Sequence, residues 1–339
     1  MRIGLDVMGG DKAPHAILDG AIAAAEHLAP DDELVLFGCR KTIESALLAA
    51  GLDRDCRFSI EATSNEIGME ESPVEAVRAK PESALASMAR AAGRRAENRL
   101  DAMISAGNTG ACVTAAQMYM RRLPHVHRPG IAVAVPTFTG QVVLIDVGAN
   151  IEPKAHHLAQ YGVMGDVFAR SVLGIERPRV AVMNVGGEEQ KGTDEMRQAR
   201  DLLRSDERLD FIGFVEGRSV FDGAADVVIT DGVVGNVMIK LAEGLSAGLF
   251  KLITREVARI DPELGERFKP IVRSIYAKHD YHEYGGAPLL GVNGICLISH
   301  GSSEARTIRN AVRTVRQLVH AEVNQAISDR LGAMEARVG

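Results

Sequence analysis

The feature that most constrains the fold is the alternation of short apolar runs with helical patterns along the whole chain. The apolar runs predict strands at residues 3–7, 34–37, 57–60, 102–104, 131–135, 142–147, 179–185, 211–215, 227–230 and 295–298. Runs that are apolar throughout are typical of strands covered on both faces. Helical patterns between them, for example at 15–28, 81–97 and 193–204, therefore predict an α/β fold with a mostly parallel sheet in a three-layer αβα arrangement.

Two of these strands are separated by only a few residues around Gly140, which favours an antiparallel hairpin and so a mixed sheet. No repeat or linker interrupts the 339 residues, and we expect a single α/β domain over 1–339. The net charge of −6, with 4% aromatic residues and no tryptophan, argues against a nucleic acid partner. The first residues read as a strand rather than as a signal peptide, so we expect a cytoplasmic protein.

Long helical patterns occupy the last third of the chain. Residues 237–278 predict a helical hairpin interrupted at Asp261-Pro262, whose first helix is apolar over a wide arc. That arc is wider than one covering sheet needs, and it favours burial against a dimer partner. A final helix is predicted from the apolar stripe that runs from Ile308 to Ile327.

The segment Ser105-Ala-Gly-Asn-Thr-Gly-Ala111 predicts a strand, a glycine-bearing turn and a helix. Either Asn108 or Thr109 can cap that helix, and the two glycines let the backbone approach a ligand. The unpaired N–H groups of a helix N-terminus suit a phosphate or a carboxylate. The alternative interpretation is a tight turn that needs glycine only for steric reasons and binds no ligand.

Small polar residues follow most of the other predicted strands. Because ligands bind at the carboxyl ends of parallel strands, these turns predict one polar site along an edge of the sheet. Local turn and cap chemistry is the alternative explanation for each of them. The residues expected to shape the site are Asp6, Gly9, Gly10, Asp11, Asp146, Asn150, Asn184 and Asp231.

His300 has the most suggestive setting of the histidines, between an apolar strand and Gly301-Ser302-Ser303. Its imidazole can serve as a general acid or a hydrogen-bond donor beside a bound anion, or it can simply anchor the loop. The sequence has no G-x-G-x-x-G motif after a strand, no Walker motif and no G-x-S-x-G elbow. The four cysteines have no paired spacing, so we expect neither a metal site nor a cofactor.

These turns, in this order, resemble the phosphate acyltransferase family of bacterial phospholipid synthesis. The resemblance is carried by segments 6–14, 105–111, 128–130, 146–150, 184–186 with 191–192, 214–218, 226–236, 284–287 and 300–303. It implies transfer of a fatty acyl group from acyl carrier protein to inorganic phosphate. The acyl phosphate would then be used by a membrane acyltransferase that acts on glycerol 3-phosphate.

The resemblance also implies a fold similar to phosphotransacetylases and isopropylmalate dehydrogenases, and a homodimer. Members bind loosely to the inner face of the cell membrane through a protruding helical hairpin, which here would be residues 237–278. The tip of this hairpin is strongly charged, unlike an apolar insertion tip.

Roles in the site follow from the resemblance together with the chemistry of the turns. Phosphate is itself an anionic nucleophile, so direct transfer without an acyl-enzyme is expected. Phosphate binding is assigned to Ser105, Gly107, Asn108, Thr109, Gly110, Ser302 and Ser303, and catalysis to His300, Lys191 and Asn236.

Two rival functions share these features. One is a phosphotransacetylase-like enzyme that uses acyl coenzyme A, and the other is a non-catalytic sensor or scaffold that binds acyl phosphate. An acidic carrier protein also requires a basic docking surface. Candidates are Arg121 and Arg122 with Arg128, or Lys269, Arg273 and Lys278.

Overall fold

The computed structural model describes residues 1–278 and 285–338, and the chain divides into two compact units. Unit 1 comprises Met1–Val133, Asp166–Arg177 and His282–Gly339, and unit 2 comprises Ala134–Gly165 and Pro178–Tyr281. The chain first passes between the units inside a strand, at Val133–Ala134, then inside a long helix, at Gly165–Asp166, and again between Arg177 and Pro178. No linker marks the first two crossings, which is why the sequence reads as one continuous domain.

Strands and helices alternate, as the apolar pattern predicts. The strands are β1 (Arg2–Asp6), β2 (Glu33–Gly38), β3 (Phe58–Ala62), β4 (Ala102–Ser105), β5 (Gly130–Pro136), β6 (Gln141–Ile145), β7 (Arg179–Met183), β8 (Asp210–Val215), β9 (Val227–Ile229), β10 (Ala287–Leu290) and β11 (Ile295–Ile298). The helices are α1 (His15–Ala23), α2 (Arg40–Ala49), α3 (Pro73–Ala79), α4 (Ala84–Ala91), α5 (Thr109–Ala115), α6 (Ala155–Leu173), α7 (Asp194–Arg204), α8 (Gly217–Val220), α9 (Gly232–Ile260), α10 (Pro262–Lys278), α11 (Ala305–His320) and α12 (Val323–Val338).

The strands of unit 1 follow the order β3-β2-β1-β4-β11-β10-β5. The pairs from β3 through β11 are parallel, whereas β10 is antiparallel to both β11 and β5. In unit 2 the order is β6-β9-β7-β8, and all three of these pairs are parallel. The mostly parallel, mixed sheet is therefore confirmed.

Strand β10 is absent from the sequence-based prediction. It is short, and Pro288 within it has no N–H to donate to a neighbouring strand, so its sequence does not read as a sheet strand. The matched segment 284–287 begins at residue 284, which lies outside the described residues.

The core of unit 1 lies on both faces of its parallel strands. Side chains such as Ile3, Leu5 and Ile104 are fully buried, because helices cover the sheet on each side. Burial of successive residues explains why these strands are apolar throughout rather than alternating.

The prediction of one final helix is wrong, because the structure has two helices in this part of the chain. α11 ends at His320 and α12 begins at Val323, and Glu322 between them has a φ of 48° in the left-handed region. Both Ile308 on α11 and Ile327 on α12 are fully buried. The apolar stripe continues in step across the break, so periodicity alone cannot reveal it.

The hairpin of α9 and α10 turns at Asp261, whose carboxylate accepts hydrogen bonds from the backbone N–H groups of Glu263 and Leu264. Gly265 lets the helices approach closely, since a Cβ there would lie 2.8 Å from the Cα of Ala258. The apolar face of α9 is exposed at Val237, Leu241, Leu245, Leu249 and Leu252. By length and hydropathy α9 is the one helix of the described residues that could span a membrane.

Candidate active site

Three turns meet at one edge of the sheet in unit 1, those that follow β1, β4 and β11. The backbone N–H of Asp11 donates to the carbonyl of Gly301 over 2.8 Å, which joins the first turn to the third. The N–H of Ser299 donates to the carbonyl of Ser105, also over 2.8 Å, which joins the third turn to the second. Parallel pairing brings the carboxyl ends of these strands together, and the turns follow.

Asp6 lies beneath these turns and ties two of them together. Its Oδ2 accepts from the Ser105 hydroxyl at 2.8 Å, and its Oδ1 accepts from the N–H of Met8 at 3.1 Å. The Ser105 oxygen in turn accepts from the N–H of Gly107 at 3.1 Å. Burial raises the pKa of Asp6 to about 6, although the hydrogen bonds to its carboxylate oppose this shift.

The raised pKa of Asp6 predicts how stability changes with pH. A folded-state pKa of about 6 lies above the usual aspartate value of 3.8, so the stabilisation by the protonated side chain is complete only below pH 3.8 and is lost as pH rises through 6. We expect the free energy of unfolding of the wild type to fall between pH 4.5 and pH 8 by about 2 kcal/mol more than that of Asp6→Asn, which is neutral at every pH. Urea unfolding at pH 4.5 and pH 8 measures this. The prediction would be contradicted if the stability of Asp6→Asn changed with pH as steeply as that of the wild type and of the exposed control Asp19→Asn.

Two glycines allow the first turn to pack against the second. A Cβ at Gly9 would lie 2.6 Å from Oδ2 of Asp6 and 2.8 Å from the backbone nitrogen of Gly107. Gly10 has a φ of +112°, which side chains rarely tolerate. The glycines of this turn are therefore required by close approach and by backbone conformation.

Asn108 caps α5, which decides between the two cap residues that the sequence allows. Its Oδ1 accepts from the N–H of Ala111 at 3.1 Å. Its Nδ2 donates to three backbone carbonyls, those of Gly68 at 3.4 Å, Met69 at 3.0 Å and Glu71 at 3.0 Å. The side chain is 8% exposed and is fully engaged by the protein, so any phosphate contact here falls to the backbone.

Residues 66–71, which we call the strap, lie over the meeting turns. Glu71 closes the strap by accepting from the N–H of Gly68 and from Nζ of Lys80, both at 2.6 Å. A Cβ on Gly301 would lie 2.8 Å from the methyl carbon of Met69, so the strap reaches the His300 turn. The cavity beneath it measures about 10 Å³, roughly the space of one water molecule. No sequence pattern pointed to this polar loop, because its partners are distant along the chain.

His300 is held by its neighbour Ser302. The Ser302 hydroxyl lies 2.8 Å from Nδ1 of the imidazole, and the Ser302 backbone N–H donates to the same atom at 3.2 Å. Because a backbone N–H can only donate, Nδ1 is an acceptor and the proton of the neutral ring sits on Nε2. His300 is exposed, so its Nε2–H is a hydrogen-bond donor available to a substrate.

The other predicted phosphate residues differ in accessibility. Thr109 is exposed, whereas Gly110 is half-buried beneath Pro73, whose Cγ would lie 2.6 Å from a Cβ at this glycine. Ser303 is buried, and its hydroxyl has no hydrogen-bond partner among the described residues. Such a buried and unpaired hydroxyl is uncommon in folded proteins.

The second group of predicted site residues lies in unit 2. Asp146 is fully buried and accepts from the N–H groups of Gly148, Ala149 and Asn150 and from the Asn150 amide. The carbonyl of Asn150 accepts from the N–H of Gly232, the first residue of α9. These residues build the turn after β6 against α9.

Asp231 caps α9 by accepting from the N–H groups of Val233 and Val234, each at 2.9 Å. Asn236 is exposed on the next turn of the helix. Asn184 is buried after β7, and its Nδ2 has no partner among the described residues. Lys191 forms a 2.8 Å ion pair with Glu188. Unit 2 thus gathers its own polar turns at the carboxyl ends of its strands.

Cys112 is fully buried behind the second turn, and burial raises its pKa to about 12, so it is not a nucleophile. Within residues 1–278 and 285–338, no group of three or more His, Cys, Asp or Glu side chains is placed to hold a metal ion. The described turns offer hydrogen-bond donors to an anion and to a developing charge.

The chain matches known proteins over nearly its full length. The family model described as fatty acid synthesis protein matches residues 1–326. The phosphate acyltransferase of Heliobacterium modesticaldum is 43% identical, with 98% of each chain covered. That of Bacillus licheniformis is 39% identical, again with 98% of each covered.

Solved structures share the fold at low identity. A phosphotransacetylase from Streptococcus pyogenes superposes with a TM-score of 0.62 at 17% identity, with 94% of each chain covered. The EutD phosphotransacetylase from Staphylococcus aureus gives 0.56 at 16% identity, covering 96% of this chain and 94% of that one. The structural similarity shows the fold, and the sequence similarity shows the family. The chain is an enzyme of the fatty acid synthesis protein family and belongs to its phosphate acyltransferases.

Proposed function

We propose that the enzyme transfers a fatty acyl group from acyl carrier protein to inorganic phosphate. The product, acyl phosphate, would supply a membrane glycerol-3-phosphate acyltransferase and so phosphatidic acid and phospholipid synthesis. The observation that carries the proposal is the meeting of three turns around His300, whose Ser302 contacts fix Nε2–H as a donor. The names of relatives about 40% identical over nearly the whole chain support the same reaction.

The proposed step is direct attack. A phosphate oxygen forms a bond to the thioester carbonyl carbon, the carbon–sulfur bond breaks, and the carrier thiolate leaves and takes a proton from solvent. Negative charge develops on the carbonyl oxygen, where a placed donor is most effective. His300 supplies that donor, and the buried Cys112 supports a mechanism without an acyl-enzyme.

Phosphate binding is proposed at the turns of unit 1. The exposed position of Thr109 at the start of α5 supports this assignment. The catalytic roles of Lys191 and Asn236, in unit 2, rest on the family resemblance. The buried Asn184 is proposed to shape the turn after β7 in that unit.

The reaction is tested with purified enzyme, palmitoyl carrier protein and inorganic phosphate. Hydroxylamine traps acyl phosphate, and a thiol reagent follows the free carrier. Acetyl and palmitoyl coenzyme A serve as parallel donors. Phosphate-dependent release from the carrier is expected; release only from acetyl coenzyme A would favour the phosphotransacetylase-like alternative. Binding of acyl phosphate without turnover would favour a sensor or scaffold.

The proposed assembly is a homodimer in which α9 covers its exposed apolar face with a second copy. Leu241 and Leu245 lie one turn apart on that face and are exposed. We expect Leu241→Glu/Leu245→Glu to shift the molar mass in light scattering from dimer to monomer, because charge in an apolar interface is costly. The control Lys240→Glu changes charge on the same helix and should leave the mass unchanged. A dimer in the double variant would contradict this arrangement.

The proposed location is the cytoplasm, with a weak peripheral contact at the inner face of the membrane. The length and apolar character of α9 support it, while the charged residues around Asp261 oppose deep insertion.

Of the docking candidates for the carrier, Arg273 and Lys278 have side chains outside those that the structure describes. Sedimentation with lipid vesicles tests the membrane contact, and binding of the carrier tests the docking surface.

A further inference from the structure

A second, larger cavity lies in unit 1 at the far end of α5. It measures about 480 Å³ and is lined by Gln117, Arg121, Arg122, His125, His127 and Glu335. Ligand sites typically occupy about 300–1,000 Å³. Two arginines and two histidines around one cavity form a local basic patch in a chain whose net charge is −6.

The cavity is separate from the turns around His300. The helical segment that starts at Thr109 ends at Met120, directly before Arg121. At 1.5 Å per residue, it carries the chain about 18 Å away from the Asn108 cap. The carbonyl of Arg121 accepts from the N–H of Asn293, just before β11 begins, so the cavity lies at the amino ends of the strands whose carboxyl ends hold the candidate active site.

The segment that carries the basic side chains is firmly held. The N–H of Leu123 donates to the carbonyl of Gly291 at 2.9 Å, and Leu123 and Val126 are buried as anchors. Arg121 and His125 adopt left-handed backbone conformations, with φ of 69° and 66°. Non-glycine residues in this region are uncommon and concentrate at ligand-binding and catalytic sites.

The chemistry of the lining favours a phosphomonoester. Arginine presents a planar fork that matches phosphate oxygens in pairs, and two arginines can hold a dianion. The one acidic lining residue, Glu335, lies 2.7 Å from Nδ1 of His125 and so is occupied by that imidazole. The volume exceeds that of inorganic phosphate, which leaves room for an organic group.

We propose that this cavity, formed by Arg121, Arg122, His125 and His127, is a second anion site that binds a phosphomonoester distinct from the substrates of the active site. The ligand is either a free small molecule or the headgroup of a phosphomonoester lipid. The proposal does not depend on the reaction proposed above.

The test uses the full chain with phenyl phosphate in isothermal titration calorimetry, and with phosphatidylcholine vesicles that contain or lack phosphatidic acid. We expect Arg121→Gln/Arg122→Gln to weaken phosphomonoester binding at least tenfold. Gln117→Glu, which leaves the loop hydrogen bonds intact, should weaken it similarly by repulsion. The matched control is Arg94→Gln/Arg95→Gln, an adjacent exposed pair elsewhere.

Each outcome decides the proposal. Binding that is lost in the Arg121 and Arg122 variant but kept in His300→Ala supports it. If phenyl phosphate binds, the ligand is a free small molecule. If only vesicles that contain phosphatidic acid bind, the ligand is a lipid headgroup. Binding lost in His300→Ala but kept in the arginine variant would place the ligand at the active site and overturn it. No phosphomonoester binding, or an arginine effect confined to carrier protein, would also overturn it.

Discussion

His300→Ala is expected to lower kcat about a hundredfold, because removing a donor from a developing oxyanion typically costs about 10²–10³ in rate. The expectation rests on Nε2–H, which the two Ser302 contacts leave as the donor of the neutral ring. The exposed ring packs into no core, so the free energy of unfolding should be nearly unchanged. Steady-state kinetics with the carrier thioester measure the loss.

Two further variants separate stabilisation of charge from anchoring of the loop. Ser302→Ala removes the hydroxyl but keeps the backbone N–H that holds Nδ1, so we expect a loss of only a few-fold. His300→Gln offers an amide donor and should retain more activity than His300→Ala. Near-normal turnover in His300→Ala would remove this residue from the mechanism.

Asn108→Asp is expected to lower kcat/KM by about 10–100-fold, corresponding to about 1–3 kcal/mol for losing the bonds of a buried polar group. The variant keeps the cap, because a carboxylate accepts from the Ala111 N–H as the amide oxygen does. It loses the Nδ2 amide that donates to the carbonyls of the strap, and its carboxylate repels those carbonyl oxygens. The strap should therefore open over the His300 turn while α5 stays folded.

Limited proteolysis of the strap and kinetics together test this separation. Faster cleavage within residues 66–71, with unchanged helical content, is expected for Asn108→Asp. The matched control is Asn98→Asp, which makes the same change at an exposed position. Lys80→Met, which breaks the ion pair with Glu71 outside the meeting turns, should loosen the strap to a smaller degree. Equal cleavage and activity in the Asn108 and Asn98 variants would contradict a role for the strap.

Much of the fold could be predicted because parallel strands buried on both faces leave long apolar runs in the sequence. The predicted runs all correspond to strands, whereas β10 was missed because Pro288 interrupts a very short run. The division into two compact units leaves little mark in the sequence for a related reason. The chain makes its first two crossings inside β5 and α6, where periodicity continues.

The candidate site could be predicted only in outline. The rule that polar turns gather at the carboxyl ends of parallel strands correctly brought Asp6, Ser105 and His300 into one unit. It could not reveal that Asn108 holds a strap about forty residues away, because side-chain partners of this kind leave no periodic pattern. The same rule assigns the turns around Asp146, which belong to unit 2, to this site, and that assignment stays a prediction.

The pairing of β4 with β11 has a consequence for how the enzyme is made. The turn that carries Ser105 leaves the ribosome well before its neighbour with His300 is translated. At about 5–20 residues per second, roughly 190 intervening residues take about 10–40 s to synthesise. Throughout that interval the edge of β4 that will receive β11 has no native partner. A nascent chain released before β11 would lack both the partner strand and the histidine, and such a fragment would be inactive and a natural substrate for chaperones.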